Sequence, residues 1–401
     1  WWGRARSSGT CAGLFISSGT VPVAERSGAS AGNPKKGRQP VRSATLGLRR
    51  NSLPRRLRPW TLLLLLYPLP LAYSHSILGH LALAGIGAFA FARRLGATLP
   101  GAMVAGLIIM LGGFSVGHLG HVTMLRGIPW LPLLLCCVER WLAVRRPRDL
   151  LLGSLAAACL VVAGHPQFPT YALLVVAAYA THRLLGLPAG EAPRAALGLL
   201  GMAAAGVCLS AAQWVTTLLA LPHYLRPETS EDPYASFEYF SHGSYSPGLI
   251  PTFVFPDLVP GMDKSELAGY LGVSGLLLAI LGAIDTSGPE RPRRFFSLLA
   301  LASFVLALGA YTPLNAYVFK VPLLRTFGVP ARHFFEMSLA AAVLAARGLD
   351  ALRRGDAATV ARARRVAGFA ALALAGAWGA LRLAGVLEIP WPEAYASLTD
   401  I

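Results

Sequence analysis

Residues 195–221 read AALGLLGMAAAGVCLSAAQWVTTLLAL, 27 consecutive positions without one charged side chain. A hydrocarbon layer about 30 Å thick is crossed by about 20 helical residues rising ~1.5 Å each. Inside such a layer the backbone must satisfy its own hydrogen bonds, so only helices and closed barrels span it. A barrel strand alternates apolar and polar residues over about ten positions. Neither this run nor the runs 267–284 and 366–383 alternate in that way, so the reading is helical.

The same pattern extends outward in both directions. Further apolar runs occupy 75–92, 99–117, 127–144, 150–164, 168–185, 295–311 and 334–346, separated by short loops that hold nearly all the charge. The expected fold is therefore all-α, a polytopic transmembrane helical bundle of about ten membrane segments. Residues 60–73 are apolar but short and interrupted by Pro68 and Pro70, as in an interfacial or re-entrant segment. Pro129 and Pro132 are expected to break or kink the third run, and Pro166 to part the fourth from the fifth. Broken helices at membrane depth persist only where they line protein or a wet cavity, so these breaks point at a site.

Composition supports a lipid solvent. The chain is 54% hydrophobic and 14% charged, with a mean hydropathy of +0.53, whereas a soluble domain carries about 25% charge. The net charge of +17 suggests nucleic acid until it is divided: residues 1–60 hold twelve Lys or Arg against Glu25 alone, leaving only +6 for the rest. No nucleic-acid partner is expected; the partner is the membrane bilayer. Cys11, Cys136, Cys137, Cys159 and Cys208 show no CxxC spacing and mostly sit in apolar runs. They read as small buried hydrophobes, not as a disulfide frame or zinc site.

Loop charge sets an orientation, because Lys and Arg concentrate on cytoplasmic loops. Arg93 and Arg94, the arginines of 140–148, Arg183 and Arg194, those of 291–294 and those of 347–365 fall at every second loop. The intervening connections, 118–126, 164–167 and 222–266, are then external, and the last has a net charge of −5. One connection resists: residues 312–332 should be external, yet they carry Lys320, Arg325 and Arg332 without an acid. Either the topology slips there or those cations have an anionic partner on the outer face.

Three parts follow. Residues 1–59, rich in Ser, Gly, Arg and Pro, form a disordered or misread basic leader. Residues 60–385 make the multi-pass membrane domain with its outer loop 222–266, and 386–401 begin a truncated C-terminal extracytoplasmic part.

Polar groups beside apolar runs need partners or a use. His118 and His121, three apart, share a helix face, and Arg126 follows them. They either bind a phosphate or hydrogen-bond at the outer interface; a metal would need a third carboxylate or imidazole, which the sequence does not fix. No metal ligands are assigned, and a divalent cofactor stays open. His165 and Gln167 lie at a tight Gly164-His165-Pro166-Gln167 turn, which places them in a site or uses them to cap helix ends. Gln213 either lines the site or bonds a neighbouring helix. Tyr234, Phe237, Tyr239, Phe240 and Tyr245 are interleaved with Glu238, Ser241 and His242, as a sugar platform or an interfacial aromatic belt would be. Arg332 and His333 precede the last strongly apolar helix but one, where Arg332 can grip a phosphate or snorkel.

In this order the motifs resemble the YfhO family of bacterial polytopic membrane proteins. The resemblance rests on His80-Leu81-Ala82-Leu83-Ala84-Gly85 with Arg93-Arg94-Leu95-Gly96, Gly113-Phe114 through His118 and His121 to Trp130-Leu131-Pro132, and Gly164-His165-Pro166-Gln167. It continues through Gln213, residues 240–247 with Phe255-Pro256, Gly269-Tyr270-Leu271-Gly272, Leu306-Ala307-Leu308-Gly309 and Val329-Pro330-Ala331-Arg332-His333, covering about residues 61–355. It implies a GT-C-like fold in the bacterial cell (inner) membrane. It also implies transfer of sugar from a polyprenyl-phosphate carrier to a cell-envelope acceptor on the outer face. Such a transfer needs a carboxylate for the acceptor's proton and cations for the departing phosphate. Arg332 and His333, with Arg126 or His165, would hold the phosphate, and Glu238 or Asp257 would be the catalytic acid. The sequence departs from the family in one respect: GT-C enzymes place their key acid in the first outer loop, whereas the only acid here before Glu139 is Glu25. The chain is thus expected to be a member truncated at both ends. A transporter, a lipid flippase and a non-catalytic envelope assembly factor are the competing classes; no internal repeat of the transporter kind is visible.

Overall fold

A computed structural model describes residues 68–220, 236–259, 261–287, 289–355 and 357–383. The leader 1–59, the C-terminal part 386–401 and the loop residues 221–235, including Tyr234, lie outside the described residues. Among those described the protein is all-helical, without a strand.

The apolar runs fold as antiparallel helices. In chain order they are α1 (Leu69–Arg94), α2 (Leu99–Leu111), α3 (Gly113–Gly117), α4 (Val122–Leu125), α5 (Trp130–Val144), α6 (Pro147–Val162), α7 (Gln167–Leu184), α8 (Ala192–Leu209) and α9 (Ala211–Ala220). After the loop come the short α10 (Phe237–Ser241) and α11 (Lys264–Leu267), then α12 (Val273–Ile284) and α13 (Glu290–Ala307). The short α14 (Leu314–Phe319) and α15 (Pro322–Arg325) lead to α16 (Phe334–Arg354) and α17 (Ala357–Leu383). Four helical stretches, Pro70–Arg94, Leu99–Gly120, Val122–Val144 and Ala192–Leu209, are long and apolar enough to cross a membrane; Val273–Ile284 is apolar but shorter. These stretches mark the chain as membrane-associated. The outward faces agree: Leu197, Leu200, Leu298, Leu301, Phe369 and Leu372 are each more than 60% exposed.

The helix breaks depart from the expected runs, and each has a local cause. The run 99–117 stops at Gly112, whose ψ of 157° leaves the helical region before α3 resumes. The run 195–221 divides at Ser210. In the run 267–284 the backbone is extended at Ala268, and α12 begins only after Gly272 at φ 78°. There Gly113 donates its N–H to Tyr270 O at 2.6 Å, and a side chain on Gly113 would crowd the 268–270 backbone. Pro166 parts α6 from α7 as expected, standing at the N-cap of α7, whereas the other prolines start helices and do not break them. Pro129 is the N-cap of α5 and Pro132 lies in its first turn, so they start the helix, because the first-turn N–H groups have no intrahelical acceptor. Likewise Pro68 caps α1 and Pro70 sits in its first turn, so 69–73 is helical and continuous with the run that follows, while residues 60–67 of the expected interfacial or re-entrant segment lie outside the described residues.

The centre of the bundle is α16, buried at every position from Phe334 to Ala346. It packs on α2, α12 and α13, while α1, α5, α6, α7 and α8 extend the assembly. The α12–α16 crossing is closed by glycines: a methyl on Gly282 would overlap Leu344 O, and one on Gly348 would overlap Leu278 O. Small residues of this kind let helix backbones approach closely. Antiparallel succession gives the bundle two ends, here the rim (around His118, the 163–166 turn and Arg332) and the base (around Thr98, Arg145 and Asp285). Hydrogen bonds from Thr98 to Asp350 and from Arg354 to Asp285 join the loops at the base. Bonds from Gln167 to Gly328 and from Tyr245 to Ala307 join those at the rim.

Candidate functional site

The rim collects residues from four separated stretches. A 3-10 turn, His118–Gly120, follows α3 and buries His118, which is 1% exposed. His118 Nδ1 lies 2.7 Å from Phe114 O. A carbonyl only accepts, so the ring proton is on Nδ1 and a neutral ring has its lone pair on Nε2. That Nε2 has no hydrogen-bond partner; Glu266 Oε2 is 3.8 Å away. His121 stands beside it, ring centroids 5.6 Å apart, and its solvent-excluded Nδ1 also lacks a hydrogen-bond partner. The ligand atoms of His118, His121 and Glu266 all lie within 4.8 Å of one another. Beneath them, Phe114 and Phe168 pack against the His118 ring, and Phe335 against both phenylalanines.

Glu266 is delivered by α11, whose N-cap Asp263 accepts from Ser265 N at 2.9 Å. Arg332 grips it with two parallel bonds, Nε to Oε2 at 2.8 Å and Nη2 to Oε1 at 2.6 Å. This is the bidentate fork that a guanidinium and a carboxylate make best. Burial raises the Glu266 pKa, but the bidentate Arg332 bonds outweigh it and hold the carboxyl well below the usual carboxylate range. Arg332 also donates from Nη1 to Gln167 Oε1 at 2.8 Å. Gln167, buried at the start of α7, spends its amide on Gly328 O and Tyr171 Oη, both at 2.9 Å. Tyr171 in turn stacks on His333 at 4.2 Å and 14°, and His333 Nδ1 donates to Glu336 Oε1 at 3.0 Å. Hydrogen bonds therefore link Glu266 through Arg332 and Gln167 to Tyr171, and a ring stack continues from Tyr171 to the His333–Glu336 pair.

The turn that presents Arg332 is strained. Val329 has φ 63°, in the left-handed region, which for a β-branched residue costs on the order of 1–3 kcal/mol. Ala331 N bonds Gly243 O at 3.2 Å and thereby anchors the turn to the loop after α10. His165 completes the cluster. Its ring packs edge-on against Phe168, and burial, reinforced by Arg332 and opposed by Glu266, pushes its pKa down to about 4.

Of the residues singled out from sequence, the structure thus brings together His118, His121, His165, Gln167, Arg332 and His333. Arg126 bonds Ser76 of α1 at 3.3 Å, and Gln213 lies half-buried on α9. Glu238 is exposed on α10, and Asp257 is exposed and pairs with Lys264. Glu266, Tyr171 and Glu336 were not singled out. Glu266 carried one legible sign: it is the last acid of the external loop, immediately before an apolar run, opposite a connection whose cations lacked a counter-charge. Arg332 finds its anionic partner there. Of the cysteines read as small buried hydrophobes, Cys136 is buried, Cys137 and Cys159 are half-buried and Cys208 is exposed.

An apolar cavity of about 520 Å³ lies between α12, α13, α16 and α17, lined among others by Phe253, Leu271, Phe304, Met337 and Leu344. Leu271 and Met337 follow Glu266 and Arg332 by five residues each. The rim thus offers a fixed guanidinium, three imidazoles and a carboxylate, able to meet a phosphate, while the cavity, whose lining includes none of these residues, is able to hold an apolar tail. No protein-family model, curated protein or solved structure matches this chain.

Proposed function

We propose that the protein is a membrane-embedded transferase of the YfhO type, with a GT-C-like bundle of about ten membrane segments in the bacterial cell membrane. It would move sugar from a polyprenyl-phosphate carrier to a cell-envelope acceptor at the rim, which the loop charges assign to the outer face. The observation that carries this reading is the convergence of His118, His121, His165, Glu266 and Arg332 at one end of the bundle. Arg332, with His165 beside it, binds the phosphate, and the cavity receives the first isoprene units. In the transfer, the acceptor oxygen bonds to the sugar C1 as the C1–O bond to phosphate breaks. The electron pair leaves on the phosphate, whose charge the guanidinium stabilises. The acceptor's proton goes to a carboxylate. Glu266 is held ionised in its bonds to Arg332, so the proton falls to Glu238 or Asp257 of the exposed loop.

Purified protein in liposomes, supplied with polyprenyl-phosphate carrying a radiolabelled sugar and an envelope polymer, should label the polymer, and Arg332→Ala should lower the rate of labelling by about 10²–10³. Movement of the lipid between leaflets with no sugar transferred would instead make the protein a flippase. Neither activity would leave an assembly factor.

A further inference from the structure

The geometry points to a divalent-cation site, of the zinc class, formed by His118 Nε2, His121 and Glu266. Two imidazoles and one carboxylate with a further position open is a donor set that zinc accepts readily. Three observations carry it. The ligand atoms lie within 4.8 Å of one another, and the His118–Glu266 separation is 3.8 Å. With bonds of about 2.0–2.2 Å around a metal, neighbouring donors sit roughly 3.4 Å apart in a tetrahedron, so the side chains need to close by about 1 Å. His118 is almost fully buried, and its lone-pair nitrogen is aimed at a carboxylate oxygen that has no proton to give. Two acceptors facing each other out of water is unfavourable unless a cation or a shared proton lies between them. Third, the ring is held in the ligating tautomer by Phe114 O, the outer support that metal-binding histidines use.

Arg332 sharpens the assignment. It occupies the far side of the same carboxylate, so Glu266 bridges guanidinium and cation. An anion entering the open position would meet both positive charges at once. A phosphate oxygen is the chemistry that suits them. The cation site itself does not depend on the sugar-transfer reading.

Full-length protein in detergent, stripped with chelator and reloaded, tests the site without any activity assay. Wild type should retain one equivalent of Zn²⁺ after desalting, and Co²⁺ should give the visible absorption of a low-coordinate nitrogen–oxygen site. Losing one ligand should weaken binding by more than about a hundredfold, beyond the 10–100-fold typical of outer-shell changes. His121→Ala, at a half-buried position, reads this without the risk of removing the Arg332 partner, and Glu266→Gln keeps the shape of that partner. Metal should raise the melting temperature of wild type but not of His121→Ala. The proposal is overturned if wild type retains no stoichiometric metal. It is equally overturned if wild type and His121→Ala bind alike, in which case a proton shared between His118 and Glu266 accounts for the geometry.

Discussion

The two ends of the bundle handle charge differently. At the base, buried acids are matched locally: Glu139 accepts from Arg183 and Tyr179, both at 2.7 Å, Asp149 from Arg140 at 2.6 Å, and Asp285 from Arg354 at 2.7 Å. At the rim one carboxylate, Glu266, faces a guanidinium and two imidazoles; polar atoms without hydrogen-bond partners occur at both ends, among them Asp149 Oδ2, Arg183 Nε and Arg347 Nε at the base, but at the rim those of His118 and His121 gather around that single carboxylate. Matched pairs fix how helices meet. A surplus of donors and lone pairs converging in one place is a liability in an isolated fold and becomes intelligible when a ligand completes it.

The largest expected effect separates the ends by function. Arg332→Ala should lower sugar transfer by about 10²–10³, the usual loss when a group stabilising transition-state charge is removed. Arg354→Ala at the base should leave turnover per folded molecule within about twofold, since it removes a pair that only joins α16 to the loop after α12. Equal losses in the two variants, measured with the labelled carrier, would erase the functional distinction.

Stability should show the opposite order. Glu139→Ala strands Arg183 and Tyr179 in a buried setting and should cost about 3–5 kcal/mol. Denaturant or thermal unfolding in detergent reads this directly, and the folded fraction should still bind metal as wild type does. A loss below about 1 kcal/mol would mean that the base pairs are as dispensable as surface ones.

Acid should loosen the rim before the base. His165 binds its proton only near pH 4 when folded, against an ordinary 6.5, so between these values the unfolded chain holds more protons. Its contribution to stability is therefore present above pH 6.5, shrinks as pH falls, and is gone by about pH 4. Asp285 has the same sign in a lower window. Burial raises its pKa, but bonds from Ser287 and Arg354 carry it below the ordinary 3.8, so its support persists until pH falls below that value. Hydrogen exchange at pH 5 should thus speed up in rim peptides around 163–168 and not in base peptides around 283–287. His165→Ala should remove the difference.

How far the sequence foretold this contrast depends on what each feature requires. Apolar runs and loop arginines are local, so the helical class and the sorting of polar motifs to one end were legible. Alternation left either a slip in topology or an anionic partner for the cations of 312–332, and for Arg332 that partner is Glu266. The partner's identity was not legible, because Arg332 and Glu266 are 66 residues apart and meet only after α12 and α13 fold back. Apolar counting was equally blind to Gly112, Ser210 and Gly272, where the helix stops although hydrophobicity continues. Glu238 and Asp257 drew attention as acids among aromatics, yet exposure sets them apart from the buried network.

The smallest effects give the sharpest version of the comparison, because helix α7 carries one tyrosine for each end, eight residues apart. Tyr179→Phe removes a bond to a charged carboxylate and should cost about 2 kcal/mol, whereas Tyr171→Phe removes one neutral bond from Gln167 and should cost about 1 kcal/mol. Function should rank them the other way. With Tyr171 gone, Gln167 keeps only Gly328 O to fix its amide, and the oxygen that steadies Arg332 Nη1 can swing. Transfer should then fall several-fold through kcat, with little change in KM, while Tyr179→Phe leaves both unchanged. A Tyr179→Phe enzyme slowed as much as Tyr171→Phe would show that the two networks work as one, and that the rim owes its arrangement to the whole bundle and not to its own bonds.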